Sequence, residues 1–268
     1  MKLKPIERFQ YAKNPLVEVL VQLRFPRLLQ IQEQLPLEFQ NKIASDYPIL
    51  EVLNEALSVV IGGAGSRLED IPASPIYNFS SADKCWRISL ASDYLALSCS
   101  QYQGWEDFKP RFTAAINLLI ELYPIKFWTR LGLRYRDLIV REDIGLEGRH
   151  WRDLISSHLL GFAIADEIAD SERVSESDVL EQQGFVNLRL EYCNVGLRHG
   201  LIKRQEDPTK TAYMIDSDFY VDKQNPEGMN VNAVGELLEQ FHANAGSLFR
   251  GCIQDELHEA MEPKKIKP

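Results

Sequence analysis

The chain has 268 residues, of which 45% are hydrophobic and 26% charged, and its formal net charge is −9. This balance excludes a disordered chain, and at this length a core forms without disulfide or metal staples, in one large domain or two halves. The acidic surplus excludes nucleic-acid binding by bulk charge and leaves only a local basic patch for that role.

Residues 16–25 alternate, with Val17, Val19, Val21, Leu23 and Phe25 on one face and Glu18, Gln22 and Arg24 on the other. That pattern predicts a half-buried strand. Leu35, Phe39, Ile43 and Tyr47 recur every four residues and predict an amphipathic helix with Pro36 in its first turn. Ser58–Ile61 is a short β-branched run before Gly62-Gly63, followed by a loop with Pro72 and Pro75. Three strands follow at 76–80, 85–91 and 94–100, with Trp86, Ile88, Leu90, Leu95, Leu97 and Cys99 pointing inward. A helix over 105–123 carries the stripe Phe108, Phe112, Ile116 and Leu119 between Gly104 and Pro124.

Residues 127–140 predict a further strand with Leu131, Leu133 and Tyr135 inward. Trp151, Leu154, Ile155 and Leu159 form a helical stripe, and strands are expected at 179–192, 195–203 and 211–221. Residues 231–261 carry a long helical pattern that Gly246 and Gly251 bend or split, and the Lys264–Pro268 tail is expected to fray.

The order strand, helix, several strands, helix thus occurs twice. Residues 21–29 align without gaps on residues 131–139, with Leu23/Leu133, Arg24/Arg134 and Leu28/Leu138 identical. The expectation is an α+β fold of two duplicated halves, 1–125 and 126–262, packed as one continuous unit, with 263–268 as a tail. Merged strands would form a long curved antiparallel sheet with helices on one face. This arrangement resembles the TATA-binding protein and its helix-grip relatives, a likeness of fold that carries no function.

On the strands, Arg24, Arg87, Arg130, Arg134, Arg136 and Arg189 fall on the face away from the apolar residues. A guanidinium matches phosphate or carboxylate with a planar fork, so these six are the candidate ligand-binding residues. The structural alternative is cross-strand pairing with Glu18, Glu191 and Asp137. Asp216 and Asp218 share a strand face and are candidate metal or acid–base residues, or else partners of the arginines.

His158, His199, His242 and His258 lack the spacing of a metal site, and Gly62-Gly63-Ala64-Gly65 lacks the Lys-Ser/Thr of a phosphate loop. Cys85, Cys99, Cys193 and Cys252 stand far apart, as in a reduced cytoplasmic protein. No cofactor, metal ligand set or membrane span is expected. Residues 166–181 hold seven acidic residues and one arginine, which predicts a solvated loop; the alternatives are mimicry of an anionic ligand, repulsion of nucleic acid, or shielding of the arginine face.

Several segments together resemble a sporadically distributed bacterial protein family of unknown function. They are Asn14–Val19 with Leu23-Arg24-Phe25, Gly104–Phe108, Arg130–Tyr135, Ile215–Asp218, and Phe241-His242 through Phe249, Ile253 and Leu257–Met261. Family members often continue the central strand with Asn-Arg-Ile, where this chain has Arg136-Asp137-Leu138-Ile139. The patchy distribution of that family resembles that of defence and toxin–antitoxin genes. The resemblance implies a non-enzymatic accessory protein with a protein partner from a neighbouring gene. The arginine face leaves a nucleic-acid or nucleotide binder as the alternative, and Asp216 with Asp218 leave a metal-dependent enzyme. Uncovered sheet edges make a homodimer a further expectation.

Overall fold

The computed structural model describes residues 1–55, 74–161, 179, 181–203, 210–223 and 228–266. In chain order these form β1 (Phe9–Tyr11), β2 (Leu16–Arg24), α1 (Leu29–Glu33), α2 (Leu37–Ile43), β3 (Ile49–Glu55), β4 (Ser74–Ser80), β5 (Trp86–Ala91), β6 (Tyr94–Cys99) and α3 (Trp105–Leu122). There follow β7 (Arg130–Ile139), α4 (Trp151–Leu154), α5 (Ser157–Leu160), β8 (Gln182–Arg189), β9 (Asn194–Lys203), β10 (Thr211–Asp222), α6 (Val231–Cys252), α7 (Asp255–Ala260) and β11 (Pro263–Lys265). The class is α+β. Nine strands form one sheet in the order β3-β4-β5-β6-β2-β7-β10-β9-β8, and β1 pairs separately with β11. Contacts divide the chain into two compact, interleaved units. The first comprises 20–131 and 222–235; the second comprises 1–19, 132–221 and 236–268.

In the first unit, β3, β4, β5 and β6 are joined antiparallel, with Phe79 opposite Ile88 and Ile88 opposite Leu97. Alternation puts Phe79, Ile88 and Leu97 on one buried face. The helices cover it. Phe39 of α2 meets Phe79 with ring centres 5.8 Å apart, and Phe108 of α3 meets Trp86 at the same separation. Glu106 and Asp107 lie in the first turn of α3, where carboxylates favour the helix dipole. The Ser58–Ile61 run lies outside the described residues. The strand found nearby is β3, which exposes Leu50, Val52 and Leu53. As the end strand of the order it lacks the burial that would impose alternation.

In the second unit, α6 buries Leu238, Phe241, Ala245, Leu248 and Cys252 along one stripe. Gly246 and Gly251 lie inside this helix without ending it. It stops where Ile253 forms a bridge with Ile155, and α7 restarts after the extended Gln254. The same bridge separates α4 from α5, so the stripe Trp151–Leu159 is two single turns. The expected frayed tail is corrected over its first residues: Pro263, Lys264 and Lys265 pair with Tyr11, Gln10 and Phe9. Among the described residues no helix is long and apolar enough to cross a membrane.

Candidate functional site

On β7, Leu133, Tyr135 and Ile139 are buried, and Arg134 and Arg136 alternate with them on the opposite face. The strand registers extend that face across the second unit. Asp216 of β10 stands opposite Arg198 of β9, which stands opposite Phe185 of β8. The next rung is Asp218, Gly196 and Asn187, and beyond it Tyr220, Asn194 and Arg189.

Two arginines of this face, Arg134 and Arg136, are neutralised internally. Arg134 donates two parallel hydrogen bonds to Asp216, from Nε to Oδ1 at 2.7 Å and from Nη2 to Oδ2 at 2.6 Å. Fork-to-carboxylate geometry of this kind is strong and directional. The Asp216 side chain is only 6% exposed against 34% for Arg134, so the aspartate depends on its partner. The hydrogen bond to Asp216 raises the Arg134 guanidinium above its ordinary value. Arg136 donates to Glu18 Oε2 at 3.0 Å.

Arg198 is arranged differently. Its guanidinium lies over the Phe185 ring, 5.3 Å from the centre, and the ring itself is 57% exposed. Among the described residues no carboxylate comes within ion-pair distance of Arg198, nor of Arg189 at the end of β8. The neighbouring Glu191 is engaged by Lys2 at 2.9 Å.

The six sequence-predicted arginines therefore divide. Arg134, Arg136 and Arg189 share the polar face of the second unit. Arg24, Arg87 and Arg130 belong to the first unit, where Arg24 pairs with Asp93 at 2.9 Å, Arg130 approaches Asp222 at 3.6 Å, and Arg87 stands opposite Ser98. Arg198 and Phe185 are absent from the predicted set. The signal was available, because Val195, Leu197 and Leu201 are buried and set the parity that places Arg198 on the other face.

Replacing Arg134 by alanine strands the Asp216 carboxylate, and the expected loss is about 2–3 kcal/mol in urea unfolding. Arg136→Ala, which breaks a more exposed pair, is expected to stay within about 0.5–1 kcal/mol of wild type.

Asp137 does not join the arginines, which corrects the proposed cross-strand pairing. Its odd position places it with Leu133 and Tyr135 on the inward face, and it is 7% exposed. Burial, with the Asp216 charge second, pushes its carboxyl up to about 8. Cys252 and Tyr11 both feel its charge, and burial raises the Cys252 thiol to about 12.

Three histidines in this unit pair with tyrosines. Tyr135 Oη lies 2.8 Å from His242 Nδ1, and Tyr11 Oη lies 2.9 Å from His258 Nδ1. Tyr213 donates to the Leu159 carbonyl at 3.1 Å, so the His199 Nδ1–H, 3.0 Å away, donates to Tyr213 Oη. Burial lowers His199 and His258 and favours their neutral forms.

Asp216 and Asp218 share a face, and among the described residues no group of three His, Cys, Asp or Glu side chains is placed to hold a metal. A cleft of about 310 Å³ lies between α2 and α3 in the first unit, floored by Ile43, Ile88 and Leu118. Its Arg111 is already held by Asp107 at 2.8 Å and stacked over Trp86. The Gly62–Gly65 loop and nearly all of the acidic stretch 166–181 lie outside the described residues. Compared with protein-family models, curated proteins and solved structures, the chain has no match.

Proposed function

We propose that the chain is a non-enzymatic binding protein of the bacterial cytoplasm, an accessory component of a defence or toxin–antitoxin system. In this reading it engages a protein from a neighbouring gene through the polar sheet face of its second unit. The observation that carries the reading is the Phe185–Arg198 pair: an exposed aromatic side chain and a cation with no carboxylate partner among the described residues, on a face where Arg134 and Arg136 are matched by anions. Both oxygens of Asp216 are held by Arg134, which leaves a metal-dependent reaction without its first named ligand.

The duplicated, TATA-binding-protein-like architecture belongs to the same proposal. It is supported by the order of elements. β2 and β7 are each followed by two short helices, a run of antiparallel strands and a long helix, α3 or α6. The last strand of each run, β6 or β10, neighbours the opening strand.

The test is co-purification. With its native gene neighbours co-expressed, the tagged chain is expected to retain one of their products at fixed stoichiometry by native mass spectrometry. Arg198→Gln, which removes the charge without setting an anion opposite Asp216, is expected to cut that recovery about tenfold, with the melting temperature unchanged. Recovery of the chain alone counts against the proposal.

A further inference from the structure

We infer that the outer edge of β8 receives an extended acidic segment of the partner protein as an added strand. This rests on the binding reading above and names the chemistry of the partner.

β8 is the end strand of the nine-strand order, and all eight of its residues are matched to β9 on one side. Its other side presents outward N–H and C=O groups with no strand against them among the described residues, although at the Arg189 end the Met1 ammonium donates to the Arg189 carbonyl at 3.3 Å. Proteins ordinarily blunt such an edge with short length, proline, a bulge or lysine. β8, with the sequence QQGFVNLR, has no proline or lysine. Instead it exposes one apolar side chain on each face, Phe185 at 57% and Val186 at 40%. Those are the features of a strand that accepts another strand: main-chain bonds supply affinity, and alternate side chains supply selectivity.

Charge decides what kind of segment fits. Arg189 closes the strand, and Arg198 reaches over Phe185 from β9; neither has a carboxylate partner among the described residues. At the opposite end, Gln183 Nε2 donates to Glu181 Oε1 at 2.6 Å, so the edge runs from acidic to basic. An incoming strand that sets an apolar residue against Phe185 and carboxylates toward Arg189 and Arg198 satisfies both the ring and the cations. The gradient also fixes its direction and register. The other end strand, β3, exposes Leu50, Val52 and Leu53 but carries the exposed Glu51, which repels the same segment.

The experiment pans a random octapeptide display library on the full chain. The expected winners carry Asp or Glu two or four residues from an apolar residue, so that both fall on the strand face shared by Phe185, Arg189 and Arg198, and synthetic winners lose at least tenfold in affinity on Arg198→Glu and on Phe185→Ser, measured by fluorescence anisotropy. Two proline variants, Val186→Pro and Asn187→Pro, separate the edge from the face. In an antiparallel pair successive N–H groups point to opposite sides, so one proline removes a bond to β9 and the other removes an outward donor. The variant that keeps the wild-type melting temperature is the outward one, and it is expected to abolish peptide binding. Peptides without an acidic bias, binding indifferent to these variants, or no enrichment would each overturn the inference. So would a thymidine oligonucleotide or a second copy of the chain proving to be the occupant lost in the same variants. If a neighbour-encoded protein still co-purifies with the outward proline variant, this inference fails and the binding reading stands. If none co-purifies with wild type, the reading itself fails.

Discussion

Asp137→Asn is expected to leave stability nearly unchanged at pH 4 and to raise it by about 4 kcal/mol at pH 7. Burial, with the Asp216 charge second, pushes the folded carboxyl up to about 8, against an ordinary value of 3.8. Its folded pKa is raised, so the unfolded state releases this proton first. The contribution is fully present below the ordinary carboxyl range, falls steadily from about pH 4 to pH 8, and is then exhausted. Asparagine has the shape of the protonated acid and does not titrate, so the fall disappears. Other titrating groups are common to both proteins, and the difference between the two curves isolates this one. Urea unfolding from pH 4 to 8.5 measures it, and parallel curves would show that the carboxyl is not held protonated.

The elements with one buried face were legible from alternation or from a stripe. β2, β4, β5, β6, α3, β7, β9 and β10 all lie close to their expected spans, because burial on one side forces apolar residues into register with the pleat or the helical turn. The elements that escaped notice lack that pressure. β1 and β11 are three-residue partners of one another, with no alternation long enough to read. β3 is an end strand with apolar residues on both sides. The break at Ile253 is made by a bridge to Ile155, a contact nearly a hundred residues away in the chain.

The candidate site was legible in part for the same reason. Parity put Arg134 and Arg136 on the polar face, and applied to β9 it places Arg198 there too. Applied strictly to β7, it would have turned Asp137 inward instead of pairing it with arginines. What parity cannot supply is which cations are already matched. That Arg134 is spent on Asp216, while Arg198 is not, depends on the register of β10 against its neighbours and on the rotamers those neighbours permit. Sequence spacing holds neither.

Gly200→Ala is expected to cost about 3–5 kcal/mol and to lower the melting temperature by about 10 °C. Gly200 lies in β9 opposite Gln183 of β8 and Met214 of β10, with φ of +156°, where side-chain-bearing residues are rarely found. A Cβ built there collides with the Gln182 carbonyl oxygen and stands 2.8 Å from its carbon and 2.9 Å from Gln183 Cα. These are main-chain atoms of the adjacent strand, so no rotamer change relieves the clash, and β8 must move away from β9. Gly196→Ala is the control two rungs along. Its Cβ would meet only side-chain atoms, Asn187 Oδ1 at 3.3 Å and the Phe185 ring at 3.5 Å, and the expected cost is under about 1 kcal/mol. The two substitutions also part in hydrogen exchange. Gly200→Ala is expected to deprotect the β8 amides bonded to β9 and to weaken peptide capture at the edge, because an added strand needs β8 held flat against its neighbour. Gly196→Ala is expected to leave both unchanged. Wild-type stability and β8 protection in Gly200→Ala would mean that β8 does not approach β9 as closely as the contact requires, and the edge would lose the support on which its selectivity rests.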